Sequence, residues 1–259
     1  MASDYTPSSF ERQEQLLKFV ELRQRVTVDQ IRGQFDVSPA TVRRDLESLA
    51  EQGKIKRFHG GARAIRHAPP ESPVIQRTSR QADQKQRIGR ATADLIKEGE
   101  TVFLGSGTTV LEVARNLKGR ANLTVITNSL PVLNILADMP DITLVGLGGV
   151  LRQSEMSMIG HITEQALQEV HAHKIIMGIR ALDIERGLTN DYLPETMTDR
   201  AILAQGGEVI IVADHTKCGR VSTALVAPIS AMHKLVTDPK TPTKFVEALK
   251  LNNIEVIIA

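Results

Sequence analysis

The chain has 259 residues, 41% of them hydrophobic and 24% charged, with a formal net charge of only +2. That is enough apolar material for one small and one larger domain, and it excludes wholesale disorder. A single cysteine excludes an intramolecular disulfide framework, no apolar run reaches the roughly 18 residues that span a bilayer, and 3% aromatics without Trp leave little for stacking single-stranded nucleic acid.

The first ten residues lack the basic-then-apolar layout of a secretion signal, so a soluble cytoplasmic protein is expected. Thr27, followed three residues on by Gln30, fits a capping box and marks a helix start. Ile31 and Phe35 share its apolar stripe. Asp36-Val37 then leads to Ser38-Pro39, an N-cap with proline at the first helical position, which opens a second helix. Val42, Leu46 and Leu49 supply the buried face of that helix, while Thr41, Arg43, Arg44 and Glu47 fall largely on other faces. Two capped helices in such quick succession read as a helix-turn-helix.

Gly53 ends the second helix, and residues 54–63 alternate basic and apolar residues into a paired-glycine turn, the pattern of a winged hairpin. From Ser38 to Arg66 there are seven Lys/Arg against three Asp/Glu, so positive charge gathers where a phosphate backbone would be met. The candidate DNA-binding residues are Ser38, Thr41, Arg43, Arg44, Lys54, Lys56, Arg57 and His59, and the expected partner is double-stranded operator DNA.

Three prolines among small and polar residues extend rather than pack the chain near 64–73. The expected division is a winged helix-turn-helix over 1–66, a linker over 67–73 and a second, larger domain over 74–259. Ile88, Ala91, Leu95 and Ile96 predict an amphipathic helix within 74–97. Beyond it, apolar runs starting at Thr101, Leu123, Ile142, Lys174, Glu208, Leu235 and Ile254 alternate with helical patterns, which predicts an α/β domain with a mostly parallel sheet.

Open parallel sheets bind ligands beyond the carboxyl ends of their strands. Gly105-Ser-Gly-Thr-Thr109 follows the first run and precedes a helical pattern, so backbone N–H groups, hydroxyls and a helix dipole meet there, as phosphate binding requires. The glycine spacing fits neither a dinucleotide fingerprint nor a Walker loop. Thr127-Asn128, Gly148-Gly149 with Arg152, and Asp214-His-Thr-Lys217 follow later runs, although such residues also cap turns on their own account. The candidate effector-binding residues are Ser106, Gly107, Thr108, Thr109, Thr127, Asn128, Gly148, Gly149, Arg152, Glu195 and Lys217, with Arg180 and Glu195 placed around a 187–194 loop able to close over the ligand. No cofactor and no metal are expected: His171 and His173 lack completing ligands, and Cys218, though next to Lys217, has no base to activate it.

Val37-Ser-Pro-Ala-Thr-Val-Arg-Arg-Asp-Leu46, Gly53 and Phe58-His-Gly-Gly-Ala62 resemble the DNA-binding motif of the DeoR family of bacterial sugar-metabolism regulators. Ser106–Thr109, Thr127-Asn128, Gly148-Gly149, Gly187-Leu-Thr189, Glu195 and Asp214–Lys217 are similar to its sensor landmarks. The resemblance implies a sensor fold related to ribose-5-phosphate isomerase, a phosphorylated sugar or sugar derivative as effector, repression of a carbohydrate catabolic operon, and a homodimer or homotetramer. Ala181 stands where many members have glycine, and Asp199 where a basic residue is common. An alternative reading is a sugar-phosphate isomerase using Glu195 or Asp214 with Lys217, carrying an accessory winged helix. A chiefly RNA-binding winged helix is disfavoured by the lack of stacking aromatics beyond Phe58.

Overall fold

The computed structural model describes residues 8–259, and residues 1–7, which the secretion-signal reading partly concerned, lie outside the described residues. Contacts divide the chain into two units, one ending at Arg66 and the other spanning His67–Ala259.

The first unit opens with α1 (Ser9–Arg23), which the sequence reading missed although Ser8 and Glu11 form a capping box. β1 (Arg25–Thr27) runs into α2 (Val28–Phe35), where Thr27 and Gln30 form the expected capping box. Asp36 takes a left-handed conformation, and α3 (Pro39–Glu51) starts at Ser38, whose side chain accepts from the Thr41 backbone N–H. β2 (Ile55–Phe58) and β3 (Gly61–Ala64) make the wing, and β1 joins them in the antiparallel order β1-β3-β2. Leu16, Val20, Ile31, Val42, Leu46, Leu49 and Ile55 form the core under this sheet.

In the second unit, α4 (Val74–Arg77) and α5 (Ala82–Ala93) replace the single helix expected over 74–97, because Gln81 turns left-handed between them. The sheet strands and helices then alternate as β4 (Thr101–Leu104), α6 (Thr108–Arg115), β5 (Leu123–Thr127), α7 (Leu130–Leu136) and β6 (Ile142–Gly146). A hairpin of β7 (Val150–Arg152) and β8 (Ser157–Ile159) leads to α8 (His161–Gln168) and β9 (Lys174–Gly178). After β10 (Ala181–Asp183), β11 (Gly187–Asn190) and α9 (Leu193–Leu203) come β12 (Glu208–Val212), β13 (Ala224–Ala227), β14 (Lys234–Thr237), α10 (Thr243–Leu251) and β15 (Glu255–Ile258).

Every one of the seven apolar runs contributes a strand to one all-parallel sheet of order β15-β14-β12-β9-β4-β5-β6. Its strands are apolar throughout because both faces are covered. Val102, Leu104, Ile176 and Val212 face a core that includes residues of α5, α6 and α7, while Phe103, Ile175, Met177 and Ile211 face residues of α8, α9 and α10.

Two expectations change. The 67–73 stretch packs as part of the second unit: Ala68 N–H donates to Val221 O (2.9 Å), and Val74 N–H donates to Ser154 O (2.7 Å). The 187–194 segment is no closing loop, since Gly187–Asn190 forms the central, fully buried strand of an antiparallel sheet, order β10-β11-β13. Among the described residues no helix is long and apolar enough to cross a membrane.

Candidate functional site

On α3, Ser38 Oγ lies 2.9 Å from Thr41 Oγ1, which fixes both hydroxyls at the helix start. Arg43, Arg44 and Glu47 are exposed, whereas Asp45 is turned inward and held by Arg12 from α1. The helix therefore presents two adjacent guanidinium groups on a backbone anchored from behind. In the wing, Lys54, Arg57 and His59 are exposed and Lys56 is half-buried. Arg57 also reaches Glu47 on α3 (3.3 Å), and Arg25 stacks on the Phe58 ring at 4.3 Å. Sequence reasoning did not single out Arg25, which β1–β3 pairing sets opposite Arg63.

The second unit holds a cavity of about 440 Å³. It lies where strand order reverses, since chain order runs outward from β4 through β5 and β6 on one side and from β9 through β12, β14 and β15 on the other. Ser106, Gly107, Thr108 and Thr109 line it at the start of α6. Gly107 has φ +107°, a conformation suited to glycine, and α6 has no side-chain cap, so its first backbone N–H groups are not taken by a capping side chain. Asn128 follows β5, Arg180 follows β9 and Lys217 sits in a short turn after β12, and all three line the same space, as does Glu195 in the first turn of α9.

Four other candidates fall elsewhere. Thr127 Oγ1 donates to Leu104 O (2.6 Å) and ties β5 to β4 inside the sheet. Gly148 accepts from Thr163 Oγ1 (2.7 Å), and a Cβ on Gly149 would come within 2.1 Å of that same hydroxyl, so the pair serves close packing against α8. Arg152 does not line the cavity; it is ion-paired with Glu195 and stacked on Tyr192 at 4.6 Å. It positions Glu195.

Six cationic and five acidic side chains line the cavity. Asn190 Nδ2 donates to both Glu195 Oε2 (2.9 Å) and Asp199 Oδ2 (2.8 Å), which brings two carboxyls together. Burial, then the charge of Glu195, holds Asp199 well above the usual carboxylate range, and burial also raises Glu195 against the pull of Arg152. Burial likewise pushes Glu155 up to about 7 despite its ion pair with Arg77. Lys85 is lowered to about 8, chiefly by burial, and donates to Arg77 O (2.7 Å). Asp214 is occupied as a cap, accepting from Thr216 N–H (2.9 Å). The sequence reading overlooked Glu71, Arg77 and Lys85; their partners are set by folding, and no local pattern marks them.

Burial pushes the Cys218 thiol up to about 12, opposite to activation. His173 Nδ1 accepts from Thr101 N–H (2.9 Å). Among the described residues no cluster of His, Cys, Asp and Glu is arranged to hold a metal ion.

Residues 12–68 match the DeoR-like helix-turn-helix domain, and residues 80–239 match the DeoR C-terminal sensor domain. The chain belongs to the DeoR family. Among its DeoR relatives is the glycerol-3-phosphate regulon repressor of Escherichia coli K12, 33% identical over 245 residues covering 95% of this chain and 97% of that protein. Another is the transcriptional regulator GolR of Listeria innocua, 31% identical over 89% of this chain and 91% of that one. A third is the transcriptional repressor AccR of Agrobacterium fabrum, 32% identical over 91% and 92%. These relatives are transcriptional regulators, and this DeoR protein is read as a DNA-binding regulator rather than an isomerase. A ribose 5-phosphate isomerase from Methanocaldococcus jannaschii aligns with 53% of this chain and 55% of its own at 17% identity, with a TM-score of 0.40, a likeness that carries no conclusion about activity.

Proposed function

We propose that this regulator represses a carbohydrate catabolic operon by binding duplex DNA through α3 and the wing, and that a phosphorylated sugar in the second-unit cavity changes its DNA affinity. Thr41, Arg43 and Arg44 enter the major groove, and Lys54, Lys56, Arg57 and His59 meet phosphates. One observation carries the effector reading: the uncapped start of α6, the hydroxyls of 106–109 and the cation Lys217 line a single cavity. The name of the E. coli relative, a glycerol-3-phosphate regulon, supports a small phosphorylated polyol or sugar as the class. For control to work, the effector must bind the DNA-free state more tightly than the DNA-bound state, since equal affinity shifts nothing.

Self-association completes the reading, because helix-turn-helix proteins address paired half-sites as dimers. Ile162, Leu193, Met197 and Leu225, on α8, α9 and β13, are all at least half exposed, an apolar surface that supports a second copy of this chain as the partner.

A thermal-shift screen of phosphorylated sugars tests the effector class, because ligand at about 100 times its dissociation constant stabilises by roughly 2.7 kcal/mol. The expected hit must also alter binding to duplexes selected from a random pool. A panel with no stabilising sugar phosphate would remove the effector reading.

A further inference from the structure

Glu71 Oε1 accepts from three cations at once: Arg77 Nη1 at 2.8 Å, Lys217 Nζ at 3.0 Å and Arg180 Nη1 at 3.3 Å. Its side chain and that of Arg180 are 10% and 6% exposed. The three donors come from α4, the turn after β9 and the turn after β12, so tertiary structure alone assembles them around one oxygen. Burial opposes ionisation of Glu71 but is outweighed by Lys217, Arg77 and Arg180, and the group stays below its ordinary range, hence charged.

A carboxylate does not satisfy this nest. Nε of Arg77 and Nη2 of Arg180 are buried donors without a hydrogen-bond partner among the described residues. Arg77 also donates through Nη2 to Glu155 and Arg180 through Nε to Asp191 (3.2 Å), yet each guanidinium keeps an N–H to spare, which matches an anion with more oxygens to offer than the single Glu71 oxygen. Phosphate has three acceptor oxygens and about −1.5 to −2 charge near neutral pH.

We propose that Arg77, Arg180 and Lys217 form the binding site for the effector's phosphate, and that Glu71 is a tethered stand-in which the phosphate displaces. The inference rests on the sugar-phosphate reading of the cavity and adds its regulation. Displacing Glu71 frees the segment that carries it. Only residues 65–70 separate Glu71 from Ala64, the last residue of the wing, so occupancy of the cavity is converted into release of the chain leading to the DNA-binding unit. The coupling is the difference between two occupants of one site.

Inorganic phosphate is the probe, titrated calorimetrically into the full chain. Glu71→Gln is expected to bind it roughly tenfold more tightly than wild type, because the carboxylate shared by all three cations no longer competes. Equal or weaker affinity overturns the proposal. Hydrogen exchange on the unsubstituted protein gives an independent reading: saturating phosphate is expected to speed exchange at the Ala68 and Val74 amides, now bonded to Val221 O and Ser154 O, and unchanged or slowed exchange overturns the displacement. If a phosphorylated sugar binds while both tests are negative, only the role of Glu71 is lost. If neither phosphate nor any phosphorylated sugar binds, the sensor reading fails with it.

Discussion

The carboxylate of Asp45, only 3% exposed, receives both Nε of Arg12 (2.6 Å) and Nη2 of Arg12 (3.1 Å), so α1 grips the inner face of the helix that carries Arg43 and Arg44. Removing one partner of a buried pair strands the other charge. Arg12→Ala is expected to cost about 2–3 kcal/mol, the low side for a buried pair because Gln13 still donates to Asp45. Urea denaturation followed by circular dichroism measures it, and a destabilisation under about 0.5 kcal/mol would mean that the two groups form only a surface pair.

The same helix carries the reading prediction. Arg43→Ala and Arg44→Ala should each cost roughly 1–3 kcal/mol of specific binding if the guanidinium makes a bidentate bond to guanine, with non-specific binding reduced much less. Competition between a selected duplex and random duplex separates the two. A double variant with undiminished selectivity would take α3 out of the reading role.

For the wing, replacing Lys54, Lys56 and Arg57 by alanine should flatten the salt dependence of binding by about 0.9 log units per log unit of salt for each phosphate no longer neutralised. Arg57 already faces Glu47, so its share is expected to be smaller than that of Lys54. An unchanged slope contradicts the assignment.

The pH dependence of anion binding follows from Lys85. Burial lowers it to about 8 from an ordinary 10.5; Arg77 and Lys217 lower it further, while Asp214 and Glu112 oppose. Between those values the unfolded chain binds a proton that the folded chain does not, so this group makes stability rise with pH from about 8 to 10.5, its penalty being full below about 8. An anion in the cavity favours the charged form, so binding above pH 8 takes up a proton and weakens as pH rises, by up to about tenfold per pH unit. Titration calorimetry in buffers of different protonation heat detects the uptake, and Lys85→Met should abolish it.

Ser106→Asp places a fixed negative charge in the anion loop. It is expected to keep the fold while losing the response to phosphorylated sugar. Wild-type effector affinity in this variant would take the 106–109 loop out of effector binding and leave the Arg77, Arg180 and Lys217 cluster as the phosphate site. Lost DNA binding without effector would show that the loop supports the assembly or that the new carboxylate mimics the ligand.

Much of this architecture was legible in the chain because its signals are local. The runs at Thr101, Leu123 and Lys174 read as strands since both faces of the sheet are covered, and Thr27 and Ser38 cap helices through neighbours three residues away. β10, β11 and β13 escaped because they are three or four residues long and, although β10 and β11 pair locally, β13 joins them across distance, Leu188 with Ala227. Glu71 was illegible for the same reason. Between two prolines and a serine it reads as solvated, and its partners Arg180 and Lys217 lie 109 and 146 residues further on. Thr127, Gly148 and Gly149 misled the reading because hydroxyls and glycines at strand ends serve packing as readily as ligands.

The pairing of β4 with β9, Val102 beside Lys174, also sets an order of synthesis. The first unit is complete once Arg66 has been made, whereas β4, which leads into the anion loop, has β5 on one flank and nothing on the other until β9 appears. At roughly 5–20 residues per second that gap lasts about 4–14 s, during which Val102 and Leu104 have an open edge beside them. A nascent chain thus has the part that grips DNA ready before the part that answers to a ligand, and a chain truncated before residue 174 would carry the first without the second.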